Sequence, residues 1–213
     1  MRAVPKLAAN ISLLFPQLPF LGRFAAAAKA GFRYVEYQFP YPFGSAKEIA
    51  EQARAAGVEV VLHNLPAGDA AKGDRGLACQ PQRVNEFREG VERAIEYARA
   101  AGCPRLNALA GIAPAGVPRE KAKETLIENL RFAAGKFKAA GLTPLTEPCN
   151  PRTIPGFFLD TSKEGIEVLD AAGADNLLLP HIDRLGYNGW IGCEYNPKGD
   201  TDQGLSWATP FLK

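Results

Sequence analysis

Apolar positions along the chain follow two alternating rhythms. "FRYVEYQF" (32–39) alternates apolar and polar residues and is rich in aromatic residues and Val, the pattern of a strand. "VEVVLHN" (58–64) predicts the next strand. Between them, "SAKEIAEQARAAG" (45–57) has helical spacing, and Ser45 followed three residues later by Glu48 predicts a capping box, with Gly57 as the stop. The alternation continues. A strand and turn are predicted over 6–15, a helix over 21–31, a long amphipathic helix over 82–102 and a strand over 104–111. A helix over 118–141, a strand over 142–150 broken at Pro148, a helix over 161–173 and strands over 175–179 and 189–195 complete the pattern. The word "AAG" ends a helix ahead of a strand at Gly57, Gly102, Gly141 and Gly173.

Strand followed by helix, repeated, predicts a parallel sheet with right-handed crossovers. A (β/α) barrel and an open doubly wound sheet both satisfy that order. The chain has neither G-x-G-x-x-G after its first strand nor G-x-x-x-x-G-K-[ST], so the nucleotide-binding open sheets lose support and the barrel is preferred. With 213 residues, 46% of them hydrophobic, the expectation is one domain over 1–213 around one core. The balance of 25 basic and 23 acidic residues leaves no footprint for nucleic acid or an anionic membrane. Cys79, Cys103, Cys149 and Cys193 form no C-x-x-C pair and read as free thiols in a reducing compartment. No apolar run approaches the roughly 18 residues of a membrane span. "MRAVPKLAANISLLFP" is a poor signal peptide, so the expected location is the cytoplasm.

In a barrel of this kind chemistry sits at the C-terminal ends of the strands. Asn10 and Ser12, Glu36 and Gln38, His63 and Asn64, Asn107, Glu147 and Glu194 fall there in turn. Glu147 and Glu194 each follow an apolar stretch and precede a proline, in "TEPCN" and "CEYNP". A carboxylate at such a place needs a partner, because an unpaired buried charge is costly. A divalent cation with oxygen ligands, Mg²⁺ or Mn²⁺, is one partner and an Arg or Lys at the barrel mouth is the other. His63 either hydrogen-bonds a substrate oxygen or is a satisfied structural histidine. Glu36 either reaches the mouth or forms an ion pair lower down. The loop 64–81 exceeds the usual ~2–6 residues of a βα connection and is punctuated by Gly68, Gly73 and Gly76, as a lid would be. Its Arg75 is a candidate to neutralise an anionic substrate, or simply a solvated surface charge. His181 and Asp183, in "NLLLPHIDRLGYNGW", raise the question of a further metal or acid–base site.

Several words together resemble one family. "ANISLLF", "HNLPAGDAAKGDRGLAC", "TEPCN", "PGFFLDT" and "GYNGWIGCEYNPKGDTDQGLSW" are similar to the hydroxypyruvate isomerases, which are xylose-isomerase-like TIM barrels. The similarity runs from about Leu7 to about Trp207. It implies interconversion of hydroxypyruvate and tartronate semialdehyde through a metal-stabilised enediolate. Glu147 and Glu194 would be the catalytic pair and metal ligands, with His63, Asn64 and Arg75 binding the small anionic hydroxy- or oxo-acid.

The resemblance also implies two further ligands, an aspartate after strand 6 and a glutamine on strand 7, and neither word occurs here. The chain passes from "DNLLL" straight to "PHIDRLGYNGW", a segment that aligns with the end of helix 7, which places a deletion junction near 179–181. His181 and Asp183 then belong to helix 7, and Asp175 to the opposite mouth. A TIM barrel takes ~250 residues. The expected fold is therefore a truncated barrel of about seven parallel strands, with weakened metal binding and an open edge that favours self-association into a homo-oligomer. Three alternatives follow: an inactive remnant, a hydroxy-acid binding module using His63 and Arg75, and a related oxo-tetronate isomerase.

Overall fold

A computed structural model describes residues 6–177, 189–197 and 199–212. Its parallel strands alternate with helices in the predicted order: β1 (Lys6–Asn10), α1 (Arg23–Lys29), β2 (Tyr34–Tyr37), α2 (Ala46–Ala56), β3 (Glu59–Asn64), α3 (Val84–Ala101), β4 (Arg105–Asn107), α4 (Arg119–Ala140), β5 (Thr143–Leu145), α5 (Ser162–Ala172), β6 (Trp190–Cys193) and α6 (Thr201–Gly204). Among the described residues no helix is long and apolar enough to cross a membrane.

Two compact units emerge. The first holds β6, β1, β2 and β3 side by side. β1 pairs with β6 in register Lys6↔Trp190 to Ala9↔Cys193, and with β2 in register Ala8↔Tyr34 to Asn10↔Glu36. β2 pairs with β3 through a bulge at Val35/Glu36, which re-aims the side chains at the end of β2. β1 ends at Asn10 and passes into a turn, as predicted. At its end Asn10 Oδ1 accepts from Ser12 N, and the backbone of Asn10 accepts from Leu13 N and Leu14 N, so the chain turns instead of extending. Arg23 stabilises that turn by donating to the carbonyls of Ile11 and Ser12. Thr201, at the start of α6, accepts from Phe15 N at 3.0 Å. The capping box of α2 is present: Ser45 Oγ accepts from Glu48 N, and Glu48 accepts from Ser45 N at 2.8 Å.

The second unit holds β4, β5, α4, α5 and the loop after β3. β4 and β5 pair in register Arg105↔Thr143 to Asn107↔Leu145. The pairing continues past the C-terminal ends of both strands through Ala108 N to the Leu145 carbonyl, and Thr146 Oγ1 to the Ala108 carbonyl. α4 buries Leu126, Leu130, Ala133 and Phe137, a stripe at helical spacing. Its Arg131 donates to the carbonyls of Ala171 and Ala172, groups that the C-terminus of α5 leaves without helical partners.

Six strands are found among the described residues, against the seven predicted. The expected strand over 175–179 begins in a turn: Asp175 pairs with Lys138 at 2.9 Å and Asn176 Nδ2 donates to the Ala134 carbonyl. The rest of that segment, the junction near 179–181, His181 and Asp183 lie outside the described residues.

Candidate active site

In the second unit the site is built from Asn64 and the ends of β4 and β5. β5 stops at Leu145, before Pro148 removes a ladder donor, and Glu147 follows two residues on, half-buried. Its Oε1 accepts from Asn107 Nδ2 at 2.7 Å. The same Nδ2 donates to Asn64 Oδ1 at 3.1 Å. Asn64 and Asn107 are both buried. Three residues that are far apart in the chain thus form one hydrogen-bonded line, Asn64–Asn107–Glu147.

The loop from Asn64 to Gln80 is tied to its neighbours at several points. Asp74 accepts from Asp69 N at 2.6 Å and pairs with Arg83 at 2.7 Å. Arg83 also holds Glu86 through two nitrogens. Residues 76–80 are buried, with Cys79 N donating to the Ala110 carbonyl and Asn129 Nδ2 to the Ala78 carbonyl. Burial pushes the Cys79 thiol up to about 12. Arg75, predicted to meet the substrate, is exposed and donates to the carbonyls of Ala70 and Asp74 in its own loop.

In the first unit Glu194 stands one residue past β6, exposed, and its Oε1 accepts from Gln38 Nε2 at 3.0 Å. Gln38 is fixed in turn, because its backbone N donates to Ser12 Oγ at 2.8 Å. Beside them a cleft of about 380 Å³ is lined by Leu7, Ile191, Cys193, Glu194, Tyr195 and Trp207. That is within the range of small-molecule sites. Glu36 is buried and accepts from Asn10 Nδ2 at 3.1 Å. Its carboxylate lies against Gly192, where a Cβ would come within 2.7 Å of Oε2. Burial, and then the charge of Glu36, pushes the Cys193 thiol up to about 11.

His63 is the penultimate residue of β3 and is fully buried. Its ring stacks on Tyr37 at 5.6 Å, and the Tyr41 hydroxyl lies 3.5 Å from Nδ1. Burial, followed by neighbouring Cys103, Tyr41 and Tyr97, raises the Tyr37 phenol well above its ordinary range.

Of the five predicted site residues, the fold joins Asn64 to Glu147 through Asn107, gives Glu194 the partner Gln38, encloses His63 in rings and leaves Arg75 on its loop. The sequence alone shows Asn107, Gln38 and Asn10 only as polar residues ending apolar strands. What each one holds depends on its neighbour in the sheet. Among the described residues no three of His, Cys, Asp and Glu gather where a metal ion could sit. Mg²⁺ asks for about six oxygens in near-octahedral array, and Glu147 and Glu194 both spend Oε1 on an amide N–H. The described residues alone do not fit a closed divalent-metal site.

Similarity to known proteins agrees with this architecture. Residues 24–180 match the family of the xylose isomerase-like TIM barrel. The chain is 37% identical to the hydroxypyruvate isomerase of Escherichia coli K12, over 97% of this chain and 99% of that protein. It is 36% identical to a 2-oxo-tetronate isomerase of Cupriavidus necator, over 98% of this chain and 99% of that one. The first alignment extends over 256 positions whereas this chain has 213 residues, so the relative carries sequence with no counterpart here. A crystal structure from Brucella melitensis, described as an AP endonuclease of family 2, superposes with a TM-score of 0.90 at 35% identity, covering 97% of this chain and 99% of that one. On sequence and fold together, the chain belongs to the xylose isomerase-like TIM barrel family and stands among its isomerases.

Proposed function

We propose that the protein interconverts hydroxypyruvate and tartronate semialdehyde, with Glu147 and Glu194 as the groups that move the proton. The observation that carries this reading is the setting of the two strand-end glutamates. Each has one carboxylate oxygen oriented by the side-chain amide of a residue at another strand end, Asn107 for Glu147 and Gln38 for Glu194. A positioned carboxylate can take a proton from carbon and return it. In the forward direction one glutamate removes a proton from C3 of hydroxypyruvate and the C3–H electron pair becomes the C2–C3 double bond of an enediolate. Protonation at C2, with transfer of the hydroxyl proton from O3 to O2, then gives the aldehyde. No atom is gained or lost.

The C. necator relative supports a second substrate, a 2-oxo-tetronate, which shares the 2-oxo acid and neighbouring hydroxyl with hydroxypyruvate. Mg²⁺ or Mn²⁺ belongs to the proposal as a weakly held ion. Glu147 and Glu194 are the carboxylates proposed as its ligands. The exposed Arg75 is the loop cation that would meet the substrate carboxylate. The four free cysteines, three of them buried, support a reducing compartment such as the cytoplasm.

The test is turnover of both substrates by the purified chain, with and without added Mn²⁺, alongside Glu147→Gln and Glu194→Gln. General acid–base catalysis contributes about 10²–10⁴-fold, and each variant should lose a factor in that range. Turnover unchanged in both variants would refute the assignment. Stabilisation by hydroxypyruvate without turnover would mean a binding module instead.

A further inference from the structure

The second unit contains an arrangement that the two glutamates alone do not explain. Asn107 ends β4 with its side chain buried, and its Nδ2 meets two oxygens, Asn64 Oδ1 at 3.1 Å and Glu147 Oε1 at 2.7 Å. That geometry fixes the amide's orientation. With the group flipped, an oxygen would face two oxygens, so the nitrogen must point toward them. The cost falls on the other side of the amide: Asn107 Oδ1 is buried and has no hydrogen-bond partner among the described residues. A buried acceptor left unpaired is unfavourable and calls for an explanation. A residue serving only the core could be replaced by an apolar one of the same shape without that penalty.

Resting on the reading of Glu147 as a proton-transfer group, we propose that Asn107 is its positioning residue and that Asn64 holds Asn107. Asn64 takes one N–H of the amide, which leaves the other aimed at Glu147 Oε1. The short separation is that of a charge-assisted hydrogen bond to a carboxylate. The backbone reinforces the arrangement within the second unit, since Leu65 N donates to the Asn107 carbonyl at 2.9 Å and Ala108 N to the Leu145 carbonyl at 2.8 Å. Asn107 therefore acts on the reaction through the direction of the Glu147 carboxylate. Small misplacements of a reacting group are expensive, on the order of 10²-fold for 1 Å.

The experiment uses the full chain with hydroxypyruvate. Asn107→Leu keeps the shape and removes both N–H groups, so kcat should fall roughly 10–100-fold while KM stays within about twofold, because the lost contact serves the carboxylate and not substrate binding. A folded Asn107→Leu protein with wild-type kcat overturns the proposal, as does a rise in KM at constant kcat. A second measurement stands whether or not that variant folds. In the otherwise wild-type chain the side-chain amide protons of Asn107, followed by NMR, should move upfield in Glu147→Gln, because a neutral amide oxygen accepts less strongly than a carboxylate. Asn107 resonances unmoved by Glu147→Gln overturn the contact itself. Failure of the underlying reading looks different: Glu147→Gln then keeps full turnover while the Asn107 resonances still move.

Discussion

Gly76 joins the loop after β3 to the segment after β4, and its replacement by alanine tests whether that junction holds the site. Its φ is +130°, and it bridges to Ala110 in antiparallel fashion while its N donates to the Ala67 carbonyl at 3.1 Å. A Cβ there would lie 2.5 Å from the Leu109 carbonyl oxygen and 2.7 Å from Gly111 N, both backbone atoms that cannot swing aside. Two costs add. A side chain in that region of backbone space costs about 1–3 kcal/mol. Overpacking against fixed neighbours costs about 1–3 kcal/mol more. The sum is about 2–6 kcal/mol, and at about 2–4 °C per kcal/mol for a chain of this size Tm should fall by roughly 4–24 °C. Gly73→Ala is the matched control. Gly73 has φ +87° in the same loop with nothing within 4 Å of a Cβ, so only the left-handed backbone penalty applies. That is about 1–2 kcal/mol, or roughly 2–8 °C. Scanning calorimetry of the two variants beside the parent reads the difference. Equal shifts would refute the claim that backbone contact, and not φ alone, fixes this junction.

Other consequences follow from the same geometry. Asp74→Asn removes the half-buried pair with Arg83 and weakens the acceptor for Asp69 N, and should lower stability by about 1–3 kcal/mol in urea titration, with little change in Arg83→Lys if charge alone matters. The Ser45 hydrogen bonds hold the Glu48 carboxyl below its ordinary range. The contribution of Glu48 is therefore present above the unfolded-state value and lost as pH falls through the lowered folded value. Glu48→Gln should flatten that part of the stability profile, measured by thermal melts across acid pH. With their thiols pushed up to about 12 and about 11, Cys79 and Cys193 should resist a thiol-modifying disulfide reagent at pH 8, whereas the half-buried Cys149 reacts; mass spectrometry of the labelled peptides decides.

Much of this protein could be read from local chemistry. The capping box at Ser45 and Glu48, the glycine stops of α2, α4 and α5, and the strand–helix alternation are each encoded within a dozen residues, and all are present. Glu147 and Glu194 were legible for a related reason: a carboxylate closing an apolar strand stands out in one dimension. Partners were not legible. Glu36 accepts a hydrogen bond from Asn10, 26 positions away. Asn107 reaches Glu147 across 40 positions and Gln38 reaches Glu194 across 156.

By itself, then, the sequence determined the order and type of the elements, the family and the carboxylates that end two strands, because helix caps, apolar period and motif words act over short range. Tertiary structure decided what those carboxylates touch. Strand register chose Asn107 and Gln38 from several equivalent polar residues, close backbone contact at Gly76 joined the glycine-punctuated loop to the segment after β4, and burial placed His63 beside the rings of Tyr37 and Tyr41. Side-chain partners depend on which strand lies alongside, and that is a property of the assembled sheet.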